Sequence, residues 1–238
     1  MGEQVIISRR FNGPPDSGNG GYSCGVVARL LGGPAEVTLR CPPPLERPLE
    51  VVRRGDGGVE LRDGERLVAE GVPAELELEV PPPVSLAEAE EAARRFPWFT
   101  GHPFPRCFVC GPDRRAGDGL RILAGPVAGR PVAAAPWTPS AADCGPDGTV
   151  LPEIAWAALD CPSWFGTHAF HPSSGLALLG RLRARLLAPI RAGEPCLAMG
   201  WHLGAEGRKV MAGSALYSAG GELRAAARAT WVILAPER

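Results

Sequence analysis

The alternation of apolar and polar residues divides the chain into two similar series of elements. In the first series, a helix-forming stretch at 20–31 is followed by alternating segments at 35–40, 49–54, 58–64 and 65–78. In the second series, a helix-forming stretch at 151–161 is followed by segments at 178–187, 195–204, 208–219 and 222–234. Proline or glycine residues separate these segments, as is typical of short antiparallel strands. The pattern predicts a degenerate repeat of one helix followed by four strands.

A connector separates the two series. The run PPPV at 81–84 ends the first, and SLAEAEEAARRF at 85–96 predicts a short helix. Ser85 and Glu88 have the spacing of a capping box, in which each side chain binds the other residue's backbone N–H. We therefore expect an N-terminal unit at 1–84, a linker helix and loop at 85–106, and a C-terminal unit at 107–238.

One helix covering one antiparallel sheet is an α+β arrangement. A single such unit would leave a sheet edge exposed, so we expect the two units to pair edge to edge. This arrangement resembles the hotdog fold, in which an antiparallel sheet wraps a helix and the units work in pairs. The sequence predicts a double hotdog, two tandem units fused in one chain.

Composition narrows the classes of partner. The 238 residues carry a net charge of −1 without a basic block, so we expect neither nucleic acid nor an anionic membrane as a partner. The N-terminal residues MGEQVIISRRF lack the apolar core of a signal peptide, and no run of about 18 apolar residues could span a bilayer. These features predict a cytoplasmic location, where the seven cysteines would be mostly reduced.

Three passages carry a family resemblance: NGG at 19–21, CFVCG…GDGL at 107–120 and VLPEIAWAALD at 150–160. They resemble hotdog-fold acyl-CoA thioesterases of the phenylacetate-pathway type, whose helix begins with His-Gly-Gly and carries a catalytic Asp nine residues after the His. Asp160 falls on that acid position, but 151–153 reads Leu-Pro-Glu instead of His-Gly-Gly. The first half keeps both glycines, with Asn19 in place of the His, and has Ala28 at the acid position.

The two departures are complementary, and the resemblance implies one composite site in which Gly20 and Gly21 face Asp160. The N–H of Gly21, helped by Asn19, would hold the carbonyl of an acyl-CoA or acyl-carrier thioester. Asp160 would attack that carbonyl directly or activate a water, which Ser163 could orient.

The remaining site expectations concern the ligand. Gly20, Trp156 and Trp164 would contact the substrate in an apolar tunnel. No cofactor is implied, because CoA would be part of the substrate and no nucleotide-binding glycine pattern is present. The acyl group is left open, and the organisation also allows a homodimer of the fused pair.

Other interpretations stay open at this level. The glycine pair also fits a tight turn, and Asp160 also fits an exposed acid near a helix end set by Pro162. Because both halves have incomplete motifs, a non-catalytic binder of an acyl-thioester or small ligand is the second hypothesis. A hotdog dehydratase is the third: VLPEIAWAA resembles the Val-Leu-x-x-Glu-Ala helix of those enzymes, offset by one residue. Dehydratases pair a His with the acid, and no His lies between 103 and 167.

Cys107 and Cys110 have the spacing of zinc ligands, and Cys144 or His102 could complete such a site. A single Cys-x-x-Cys without a second pair is weak evidence, so we expect no metal. The remaining thiols and imidazoles are expected to be ordinary. We interpret Cys24 and Cys161 as small core residues within the helices, and His168 and His171 as loop residues.

Overall fold

The computed structural model describes residues 2–171 and 175–234. Its helices are α1 (Gly20–Leu31), α2 (Leu86–Ala93) and α3 (Pro152–His168). Its strands are β1 (Gln4–Ile6), β2 (Ala35–Leu39), β3 (Pro48–Arg53), β4 (Val59–Asp63), β5 (Arg66–Pro73), β6 (Gly125–Pro126), β7 (Val132–Trp137), β8 (Ala177–Leu186), β9 (Cys196–Glu206), β10 (Lys209–Ser218) and β11 (Leu223–Ile233). The eight strands expected from the sequence are all present, and the α+β class is confirmed.

The described strands form one antiparallel sheet of eleven strands in the order β1-β3-β4-β5-β2-β8-β11-β10-β9-β7-β6. Strands of the first series form one half of this sheet, and strands of the second series form the other half. The two halves meet where β2 pairs with β8, with Val37 opposite Leu182. The edge-to-edge pairing expected from the sequence is therefore what joins the two series.

Helices α1 and α3 lie side by side against this sheet, α1 mainly on the strands of the first series and α3 mainly on those of the second. Gly21 of α1 contacts α3 near Asp160, and Gly25 contacts it near Glu153, so the two helices run antiparallel. Asn19 caps α1 by accepting a hydrogen bond from the backbone N–H of Tyr22 at 2.9 Å. The main hydrophobic core lies between these helices and the sheet.

Helix α3 is longer than the sequence predicted. The helix-forming stretch was expected over 151–161, and the alternative in which Pro162 ends the helix is wrong, because the helix continues through the proline to His168. Two carbonyl groups in the turn before the proline accept hydrogen bonds from hydroxyl groups. The Ser163 Oγ donates to the carbonyl of Asp160 and the Ser214 Oγ to that of Leu159, each at 2.6 Å.

The helix of the connector also packs against the sheet. Helix α2 begins with the expected capping box at Ser85 and Glu88. It then packs on strands β6, β7 and β9, and its residues Ala89 and Ala92 are fully buried. A second hydrophobic cluster that includes Met199 and Tyr217 lies beneath it.

The segment after the connector packs against the first half of the chain. The N–H of Phe108 donates to the carbonyl of Asn12 at 2.7 Å, and its ring packs edge-on against Phe11. This contact brings the Cys-x-x-Cys segment close to the N-terminus of α1. None of the helices in the described residues is long and apolar enough to cross a membrane.

Candidate active site

The carboxyl group of Asp160 meets the N-terminus of α1 across the contact between the two helices. Its Oδ2 accepts hydrogen bonds from the Asn19 Nδ2 at 2.8 Å and from the backbone N–H of Gly21 at 2.9 Å. Asp160 is 2% exposed, and its Oδ1 has no hydrogen-bond partner among the described residues. The structure therefore brings together Asn19, Gly21 and Asp160, which are far apart in the sequence.

Burial and hydrogen bonding act in opposite directions on this acid. Burial raises the pKa of Asp160 to about 7, although the N–H of Gly21 and the amide of Asn19 favour the ionised form. A carboxyl group with this pKa is ionised in part of the molecules at neutral pH and can then accept a proton.

The structure changes the role expected for Gly21. Its N–H is bound to Asp160 and does not point freely at a ligand. A Cβ at this position would lie 2.5 Å from the Cβ of Asp160 and 2.7 Å from the carbonyl oxygen of Trp156. Glycine is therefore required here by the close approach of the two helices. This requirement was not among the expectations from the sequence.

Gly20 is better placed to meet a ligand. It borders the apolar cleft beside Asp160 and is partly exposed. No described residue accepts a hydrogen bond from its N–H. As the first amide of α1 it also lies at the positive end of the helix dipole.

The cleft holds about 690 Å³ of empty space, part of it open to solvent. Asn19, Gly20 and Asp160 form one part of its wall. Aromatic side chains form much of the rest: Trp98, Phe104, Trp164, Phe165 and Trp231. A mostly apolar wall with a few convergent polar groups is the usual form of a small-molecule site.

Two other expected site residues do not reach the cleft. Trp156 is buried between the helices. A Cβ added at Gly25 would lie 2.8 Å from the Cβ of Trp156. Ser163 is fully buried, and besides its bond to Asp160 its Oγ accepts a hydrogen bond from the Trp231 Nε1 at 2.8 Å. Its hydroxyl is thus engaged within the protein and does not orient a water in the cleft. Trp164 borders the cleft as expected.

His168 is a residue whose place the sequence interpretation missed. It is the last residue of α3 rather than a loop residue, it borders the cleft, and its ring lies 4.6 Å from that of Trp98. Burial lowers its pKa and so favours the neutral imidazole. Neither His168 nor His102, which also borders the cleft, hydrogen-bonds Asp160.

Three thiols meet beside Asp160. The Sγ atoms of Cys107, Cys110 and Cys161 all lie within 4.8 Å of one another, and all three residues border the cleft. Cys161 lies in the core on α3, as expected, but its contact with two other thiols was not predicted. Its pairing with the Cys-x-x-Cys segment depends on how the chain folds over α3, which the spacing of the cysteines does not reveal.

Comparison with known proteins supports the fold. No family model and no curated protein matches the sequence. The tesB protein of Mycobacterium avium subs paratuberculosis has a similar structure with a TM-score of 0.60 and 12% identity, covering 92% of this chain and 88% of that one. A hot dog fold protein of unknown function from Alicyclobacillus acidocaldarius gives a TM-score of 0.62 at 11% identity, with coverages of 98% and 93%.

A third structure, a candidate thioesterase from Novosphingobium aromaticivorans DSM 12444, gives a TM-score of 0.61 at 14% identity and covers 98% of this chain and 95% of that one. Likeness at such low identity establishes the fold. The resemblance seen in the sequence is thus confirmed at that level, and the chain is a hotdog-fold protein with structural neighbours among the thioesterases.

Proposed function

We propose that this protein is a double-hotdog thioesterase that hydrolyses an acyl-CoA or acyl-carrier thioester at one composite site. The repeated order of helix and four strands, together with the pairing of β2 with β8, supports two fused units. The first unit contributes the N-terminus of α1, and the second contributes the acid on α3.

One observation carries the proposal. The carboxyl group of Asp160 is held through Oδ2 by Asn19 and Gly21, while its Oδ1 has no partner among the described residues. The acid borders the apolar cleft, and a water or a substrate that enters there is the partner we propose for this buried oxygen. A carboxyl group that served only to join the two helices would gain from having both oxygens paired.

The proposed reaction uses this free oxygen as a base. Oδ1 takes a proton from a water, whose oxygen attacks the carbonyl carbon of the thioester. The oxyanion that forms is stabilised by the N–H of Gly20, and one such donor contributes roughly 3–4 kcal/mol to lowering the barrier. The intermediate then collapses, the C–S bond breaks, and the leaving thiolate takes the proton from Asp160.

Gly20 replaces Gly21 as the carbonyl donor in this scheme, since the N–H of Gly21 already binds the acid. Asn19 and Gly21 then act as positioning residues. Trp164, Phe165 and Trp231 supply apolar surface for the acyl chain.

The test is release of free thiol from short, long and aromatic acyl-CoA substrates. Asp160→Asn keeps the size and the acceptor oxygen of the side chain but removes the base, so we expect kcat to fall by about 10²–10⁴-fold. The matched control is Asp147→Asn, the same change at an exposed turn before α3, which should leave kcat unchanged. Hydrolysis that survives in Asp160→Asn would exclude Asp160 as the base.

A non-catalytic binding protein is the second candidate. The observation that favours it is the engagement of the Gly21 N–H by Asp160, which removes a donor that the resemblance assigned to the substrate. Tight binding of one acyl-CoA without release of thiol from any of them would support this candidate over the enzyme.

A further inference from the structure

The three thiols beside the acid come from two segments that are remote in sequence. Cys107 and Cys110 lie in the segment that follows the connector, whereas Cys161 lies on α3, 54 residues after Cys107. The Sγ atoms of Cys107 and Cys161 are 3.9 Å apart, and all three sulfurs lie within 4.8 Å of one another. All three side chains are buried.

These distances suit a single metal ion. Zinc binds thiolate sulfur at about 2.3 Å in tetrahedral geometry, which places two sulfur ligands about 3.8 Å apart. The separation between Cys107 and Cys161 is close to this value without any rearrangement. The Cys-x-x-Cys spacing is also one at which two thiolates commonly bind the same zinc ion.

Another buried cysteine of this core, Cys24, lies outside the cluster of three thiols. Cys24 on α1 is fully buried, and its Sγ lies 4.0 Å from the carbonyl oxygen of Val37. A small apolar residue in the core thus needs no other thiol beside it. The convergence of three thiols therefore calls for a reason other than packing.

Neighbouring groups supply donors to the sulfurs. The Nδ1 of His102 accepts a hydrogen bond from the N–H of Phe104 at 2.9 Å, so a neutral imidazole carries its proton on Nε2. This Nε2 lies 3.5 Å from the Sγ of Cys110. The amide of Asn19 lies 3.9 Å from the Sγ of Cys107 and also holds Asp160. Such donors stabilise the negative charge of thiolates and orient them.

We propose that Cys107, Cys110 and Cys161 bind one zinc ion as three thiolate ligands, with His102 and Asn19 as hydrogen-bond donors to the sulfurs. All three cysteines border the cleft, from which a fourth ligand would reach the ion. The ion ties the Cys-x-x-Cys segment to α3 one residue beyond Asp160. The sequence favoured no metal because a second cysteine pair was missing, but the structure supplies the third ligand from the helix.

The first experiment measures the metal content of protein purified under reducing conditions without a chelator. We expect stoichiometric zinc in the wild-type protein and in Cys41→Ser, a control cysteine outside the cluster. In Cys161→Ser the zinc content should fall at least tenfold. His102→Ala, which removes a donor to Cys110 but no ligand, should weaken zinc affinity by about 10–100-fold.

A second measurement on the wild-type chain covers the case in which Cys161→Ser does not fold. Replacement of zinc by cobalt(II) should give the charge-transfer absorption of thiolate ligands, with an intensity that corresponds to three sulfurs. Two results would overturn the proposal. One is fully reduced wild-type protein that retains no metal after incubation with zinc, and the other is a Cys107–Cys110 disulfide in protein isolated directly from cells.

Discussion

The contact between α1 and α3 leads to a quantitative prediction for Gly25→Ala. A Cβ at this position would lie 2.5 Å from the Cα of Glu153 and 2.8 Å from the Cβ of Trp156. The nearer atom belongs to the backbone, so no side-chain rotation relieves the clash and the two helices must move apart. Overpacking costs about 1–3 kcal/mol, and the backbone contact places this case near the upper end. Alanine recovers about 1 kcal/mol through its greater helix propensity.

The net loss is therefore about 2 kcal/mol, which for a chain of this size lowers Tm by about 4–8 °C. Thermal unfolding followed by circular dichroism measures this shift. The matched control is Gly33→Ala, just beyond the end of α1, where a Cβ would have no neighbour within 4 Å. It should leave Tm unchanged or slightly higher. If Gly25→Ala melts at or above the wild-type temperature, the helices are not as close as this reasoning requires.

Two further predictions concern buried polar groups. Ser163→Ala leaves the buried N–H of Trp231 without its acceptor. The free energy of unfolding, measured in urea, should therefore fall by about 1–3 kcal/mol. A loss below about 0.5 kcal/mol would contradict the assigned contact. Burial raises the pKa of both Tyr22 and Tyr217 from 10.0 to about 12, so these phenols stay protonated in the folded state while the unfolded chain releases their protons. The free energy of unfolding should therefore fall between pH 10 and pH 12, and less steeply in Tyr217→Phe; an identical pH dependence in that variant would contradict the assignment.

The sequence predicted best those elements whose residues face the core on one side and solvent on the other. Strand β4 alternates between more and less buried positions and ends at the turn before Gly64, so pattern and turn chemistry agree. Strand β7 was missed for the opposite reason. Its residues are nearly all buried, because α3 covers one face of the sheet there and α2 the other, and such a strand shows no alternation.

The candidate site, too, was predicted only in part from the sequence. The motif positions of Asn19, Gly21 and Asp160 predicted that these residues meet across the two helices, and the structure shows this contact. The residues lining the cleft were harder to find, because they depend on how α3 is rotated and where it ends. Asp160, Trp164 and His168 are four residues apart and form one stripe of the helix. That spacing was visible in the sequence, but the interpretation of His168 as a loop residue hid it.

The two ends of the long sheet have a consequence for the behaviour of the protein at high concentration. The outermost strands, β1 and β6, have only three and two residues, and β6 contains Pro126, which has no N–H to offer another chain. A strand from a second molecule would therefore find few backbone groups with which to pair at either end. Growth of the sheet into intermolecular fibrils is disfavoured, and any self-association falls to side-chain surfaces rather than to main-chain hydrogen bonds.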